Sequence, residues 1–286
     1  MNAALTILDS PSTLTALLTL VLAGLFGVMV LAWIVQKAAR DTGWVDVFWT
    51  FGTGAAGVIA ALWPLPGDEA WGPRRWLVAA LIGLWAARLG GFIAARVVRS
   101  REEDARYREL REGWGASYDV KLFGFLLVQA PVGTILAAAA AIAARAPGAG
   151  FGLRDGLALA VWLLAVGGES LADAQMAAFR ADPSNRGGIC ERGLWAWSRH
   201  PNYFFEWLVW FAWPVLALDP ARPVTFATLA APLVMFLILR FATGVPPVEK
   251  SMLASRGDPF RDYQARVNAF IPFPPRRAPS PARPSR

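Results

Sequence analysis

Seven long stretches almost free of charge, near residues 13–35, 46–63, 76–98, 120–144, 156–179, 203–219 and 223–242, constrain this chain more than anything else in its sequence. A helix rises about 1.5 Å per residue, so roughly 18 to 20 apolar residues cross the hydrocarbon core of a bilayer. Of the 286 residues, 56% are hydrophobic and 17% charged, with a mean hydropathy of +0.40. That balance is too apolar for a soluble domain of this size unless the apolar residues are grouped for lipid. The expected fold is all-α: a polytopic membrane helix bundle of about seven transmembrane helices, forming one domain over residues 1–272. The second and sixth stretches are the shortest, and the fifth and sixth carry acids, so a re-entrant or broken segment would make the count six or eight. The Pro/Arg-rich tail at 273–286 cannot bury a core and is expected to be disordered.

Cytoplasmic loops carry the excess of Lys and Arg, which orients the bundle. With the N-terminus outside, Lys37, Arg40, the Arg-rich 96–121 region, Arg180, Arg186, Arg192, Arg199 and everything from Arg240 onward fall inside. The outer side then holds Arg74, Arg75, Arg145, Arg154 and Arg222. Leaving aside Arg88, which lies within a span, twenty-two basic residues are inside against five outside, so the C-terminus is expected in the cytoplasm. The opening MNAALTILDS lacks the basic start of a signal peptide, so the first span is expected to stay in the protein. The expected location is an integral, multi-pass position in a bacterial inner membrane.

The net charge of +7 follows from this topology and from attraction to anionic lipid, with no nucleic-acid recognition module beside it. One cysteine, Cys190, and one histidine, His200, exclude an internal disulfide and a Cys/His zinc cluster. GTGAAG at 52–57 matches a dinucleotide-loop pattern, yet it sits inside an apolar span. Small residues there permit close helix packing. The mixed-charge loop at 99–119, with Glu102/Arg106 and Asp104/Arg108 four residues apart, is expected to form an interfacial helix.

Ionisable side chains inside spans are costly, about 2.5–3.5 kcal/mol each near the centre, so they mark functional candidates. Asp46, Arg88, Glu169, Asp173, Glu206 and Arg240 all fall in the cytoplasmic half on this topology, which predicts a polar cavity open to the cytoplasm. Glu169 and Asp173 are four apart and share a helix face, as do Asn202 and Glu206. In SRHPNYFFEW, Pro201 suits a first helical turn, whose free N–H groups and positive dipole end favour an anion. Arg199 and His200 strengthen that site. The preceding FRADPSNRGGICERG adds Arg180, Arg186 and Arg192, which suits a phosphate-bearing ligand.

These blocks carry a resemblance. GLWAWSRHPNYFFEW, preceded by ESLADAQMAAFR and followed by GVPPVEKSM and DYQARVNAFIPFPP, closely resembles the DUF1295 family, membrane proteins related to the steroid 5-alpha-reductases. VDVFWTFG and EEDARYRELRE resemble that family's N-terminal segments, and the likeness covers roughly residues 40–275. The resemblance implies seven helices with NADPH bound in a cytoplasm-facing cavity built from the last three helices, about residues 156–272. Cofactor contacts would fall on Glu169, Asp173, Arg180 and Asn202, with Glu206 near the nicotinamide or the substrate. Phe205 stands where the reductases carry a small glycine, which is expected to narrow the cavity.

Isoprenylcysteine carboxyl methyltransferases and phospholipid methyltransferases offer a second resemblance through Arg199, His200, Pro201 and Tyr203. There the ligand would be S-adenosylmethionine, although this chain has Glu249-Lys250 where those enzymes have paired glutamates. The favoured expectation is a reductase of an activated C=C bond in a lipophilic, steroid-like or isoprenoid/lipid substrate entering from the bilayer, with membrane lipids as further partners. Arg180, Arg186, Arg192 and Arg199 would hold phosphates, Asn202, Glu169 and Asp173 amide and ribose groups. Glu206, His200 and Tyr203 are the candidate catalytic residues, and His200 could instead cap the helix or bind a phosphate. A lipid methyltransferase and a non-enzymatic lipid-binding or transport protein are the alternatives.

Overall fold

The computed structural model describes residues 11–65, 72–99, 105–148 and 150–276. Among them twelve α-helices follow one another: α1 (Pro11–Ala39), α2 (Gly43–Leu62), α3 (Gly72–Arg99), α4 (Ala105–Trp114), α5 (Tyr118–Leu127), α6 (Gln129–Ala144), α7 (Leu153–Ala181), α8 (Pro201–Val209), α9 (Ala212–Ala217), α10 (Ala230–Leu237), α11 (Val245–Arg256) and α12 (Asp258–Arg266). Six continuous helical runs are long and apolar enough to cross a membrane: Thr13–Ala39, Gly43–Leu62, Gly72–Arg99, Tyr107–Ala144, Leu153–Ala181 and Pro223–Arg256. The chain is a polytopic helical membrane protein.

The expected sixth span, 203–219, is the one that does not form a single long helix. It becomes α8 and α9, separated by a turn at Trp210 and Phe211. Pro214 has no N–H to donate to the carbonyl of Trp210, so the helical ladder breaks where the composition reads as continuous. The interfacial helix expected at 99–119 appears as α4, while Glu102 and Asp104 lie outside the described residues, as do positions 277–286 of the tail.

Two compact units share the chain, one of 1–162 with 210–235, the other of 163–209 with 236–286. In the first, α2 packs against α3, α6 and α1. The glycines of GTGAAG explain how closely. A Cβ on Gly54 would overlap the Cβ of Ala86 on α3, and one on Gly133 of α6 would come 2.8 Å from the Thr53 hydroxyl. Outward faces stay apolar and exposed, as at Leu20, Leu31 and Ile34 on α1 and Leu84 and Phe92 on α3, which is the pattern of lipid contact.

Three arginines of this unit are consumed by its structure. Arg74 clasps Asp155 at 2.7 and 2.8 Å, with both side chains buried. The last carbonyls of a helix have no intrahelical donor and need partners where water is scarce. At the end of α2, Arg145 donates to Ala60 and Trp63 at 2.8 and 2.7 Å, and Arg75 to Ala61, Leu62 and Trp63 at 3.2, 2.6 and 2.8 Å.

The second unit takes its form from two irregular points. Gly193 has φ +58, and its Cα lies against the Gln175 side chain, which accepts from the Leu194 N–H at 2.9 Å. Ile238–Ala242 forms a π-turn that ends at Gly244, where any Cβ would overlap the Leu239 backbone. Pro246 and Pro247 then start α11 in its first turn, where a missing N–H costs nothing.

Candidate functional site

The expected cofactor and catalytic residues lie in the second unit, whereas the intramembrane charges Asp46 and Arg88 lie in the first. Glu169 and Asp173 sit one turn apart on α7, with Glu169 buried and Asp173 half-buried. Asn202, Tyr203 and Glu206 lie on α8, and Glu206 is buried. Two contacts join these segments near the acids. The Trp195 indole donates to the carbonyl of Ala172 at 2.9 Å, and the Phe205 ring lies against Gly168, where a Cβ would have no room. Phe205 is thus seated over the residue immediately before Glu169. The Oδ1 of Asn202 is a buried acceptor with no partner among the described residues. Such an atom is costly unless a ligand or water donates to it.

The loop from α7 to α8 carries Arg180, Arg186 and Arg192, all exposed. None of the three forms an ion pair with a described carboxylate, although Arg192 attracts Asp182 at longer range. The loop's own acids are committed elsewhere. Asp182 accepts from the Ser184 hydroxyl at 2.7 Å and N–H at 2.9 Å, which holds its carboxyl below the usual range. Glu191 takes both ends of the Arg266 guanidinium at 2.8 and 3.0 Å.

Arg199 and His200 are placed differently from those loop arginines. The Arg199 Nε and Nη2 both reach Oε1 of Glu249 at 2.7 Å, and Nη1 donates to the carbonyls of Gln264, at 3.2 Å, and Val267. Its guanidinium is therefore occupied inside the protein rather than presented with the loop cluster. His200 Nε2 lies 3.2 Å from the same carboxylate oxygen, and its ring stacks on Tyr203 at 5.5 Å with planes 6° apart. Burial pushes the imidazole below its ordinary pKa, against the pull of Glu249. A neutral ring beside a carboxylate carries its proton on Nε2, which leaves Nδ1 as the acceptor.

Sequence reasoning missed the residues that hold this motif from outside. Gln264 donates to the second oxygen of Glu249 at 2.9 Å. The Tyr263 hydroxyl donates to the Trp195 carbonyl at 2.5 Å, and burial raises its pKa. Ser198 donates to the Phe270 carbonyl at 2.7 Å and accepts from the His200 N–H at 3.1 Å, while the Arg199 N–H bonds Asn268 and the Phe273 N–H bonds Trp197. These residues stand inside GVPPVEKSM and DYQARVNAFIPFPP, blocks noted in the sequence only for their resemblance. Below them Phe204, Trp207, Phe236 and Phe270 form an aromatic cluster with ring centres 5.4–6.2 Å apart.

A family model described as a protein of unknown function, DUF1295, matches residues 32–267, which takes in every expected cofactor and catalytic residue. The chain belongs to the DUF1295 family. No curated protein and no solved structure matches it. The matched region of this DUF1295 protein ends at Val267, so the α11–α12 clasp on the SRHPN motif falls within the family's bounds.

Proposed function

We propose that this DUF1295 protein is a membrane-embedded, NADPH-dependent reductase of an activated C=C bond in a lipophilic substrate, with its site open to the cytoplasm. One observation carries the reading: Arg180, Arg186 and Arg192 are exposed and without carboxylate partners among the described residues, while Asp182 and Glu191 beside them are already bound. A dinucleotide phosphate brings several anionic groups that such arginines hold well. S-adenosylmethionine, cationic at sulfur, gains nothing from them. The polar end of a nicotinamide also fits the orphaned Asn202 Oδ1, since a carboxamide supplies the missing donor.

Along α7, Glu169 and Arg180 are separated by about 16 Å, a span suited to an extended ligand with an anionic end and a reactive end. In this reading Arg180, Arg186 and Arg192 hold phosphates. Asn202, Glu169 and Asp173 hold amide and ribose groups, and Glu206 borders the reacting centre. Bound NADPH supplies the hydride, and the chain supplies position and electrostatics. His200, engaged at Nε2, orients Tyr203, whose phenol carries the proton to the substrate.

The test is consumption of NADPH by the protein in lipid nanodiscs offered α,β-unsaturated lipophilic ketones. Reduced product with loss of activity in E206Q supports the reading. Methyl transfer from S-adenosylmethionine without NADPH consumption overturns it.

A further inference from the structure

Glu249 is a heavily engaged carboxylate of the second unit. Its Oε1 receives Arg199 and His200 from the segment before α8, and its Oε2 receives Gln264 from α12. These are three partners on two oxygens, contributed by two separate stretches of chain. Arg199 is tied further by its bonds to Gln264 and Val267. After His200 come Pro201 and then Asn202 with its orphaned buried oxygen. The helix begins from His200 itself, whose carbonyl accepts the Phe204 N–H at 3.1 Å. Whatever fixes Arg199 and His200 therefore fixes the direction in which the first turn of α8 points.

Glu249 can stand where it does because of the chain behind it. The π-turn at Ile238–Ala242 and the crowded Gly244 redirect the backbone before Pro246 and Pro247, and one helical turn later Glu249 reaches the motif. A π-turn adds a residue to the helical circuit and shifts the register of everything after it, and such turns recur at functional sites.

We propose that Glu249 is a positioning residue: it orients His200 and Arg199, and through them the ligand-facing first turn of α8, without contacting the ligand itself. The clause about the ligand rests on the NADPH reading above; the orientation of His200 does not. Glu249 neutralises Arg199 at the motif, so that the loop arginines and not Arg199 meet the phosphates. It also selects the Nε2–H form of His200.

His200 is the chain's only histidine, so histidine labelled with ¹⁵N reports this one ring without further assignment. The groups facing it are Glu249 from α11, Arg199 beside it, Arg240 from the π-turn and Tyr203 from α8. The wild-type protein should show the neutral Nε2–H form at neutral pH. E249Q removes the charge that favours protonation, so the His200 midpoint should move to lower pH, and NADPH affinity should fall by about tenfold. E249D, which keeps the charge on a shorter arm, should lie between the two on both readouts, and it decides the matter if E249Q does not fold. Identical His200 spectra and titration in the wild type and both variants overturn the proposal. Failure of the wild type to bind NADPH overturns the reductase reading instead, and the His200 spectra still decide the role of Glu249.

Discussion

Arginines are used in opposite ways at the end of α2 and in the loop before α8. Arg74, Arg75 and Arg145 are turned inward, onto Asp155 and the final carbonyls of a membrane helix. Arg180, Arg186 and Arg192 are turned outward, past acids that already have partners. The first group satisfies groups the protein cannot leave bare in lipid, and its removal damages the fold. The second group satisfies nothing in the described chain, and its removal should damage only what binds there. Charge alone does not separate the two; burial and partners do.

The comparison breaks most sharply at Arg74. Arg74→Met leaves the buried Asp155 carboxylate without its counterion, and the unfolding midpoint in detergent should fall by an amount corresponding to about 3–5 kcal/mol. An unchanged midpoint would mean that the inward group is not structural. Gly54→Val probes the packing of α2 against α3. The new side chain must push α2 off Ala86, and a loss of about 1–3 kcal/mol is expected in the same thermal scan.

His200 gives a smaller effect with a definite sign. Its folded pKa lies below the ordinary value of 6.5, so the unfolded chain binds the proton more readily. Stability is then full above pH 6.5 and declines as pH falls below it. H200Q should flatten that decline in unfolding curves taken between about pH 5 and pH 8. The least effect on stability belongs to R180A/R186A/R192A, within about 0.5 kcal/mol of wild type. A large loss there would place the outward arginines with the inward ones.

The membrane helices were legible in the sequence, whereas the contrast between the two groups of arginines was not, and the limits are physical. Apolar runs located the helices because burial in lipid depends on composition over about 20 residues. The same averaging hid Pro214, a single missing N–H that divides 203–219 into two short helices. The face shared by Glu169 and Asp173 followed from the helical period alone. For Arg199, its neighbours on the chain suggested a phosphate, whereas its true partner is Glu249, fifty residues away and brought back by a π-turn no pattern predicts. Counting Arg74, Arg75 and Arg145 as loop charges likewise missed their carbonyl partners, since an orphaned helix end is visible only once the neighbouring helix is in place.

The central claim, that the outward arginines serve a phosphate-bearing cofactor, is tested most directly by thermal unfolding of the detergent-purified protein with added ligand. At a hundred times its dissociation constant, NADPH should add about 2.7 kcal/mol to the wild type, and far less to R180A/R186A/R192A at the same concentration. Stabilisation by S-adenosylmethionine with none by NADPH, or equal stabilisation of both proteins by NADPH, would contradict it.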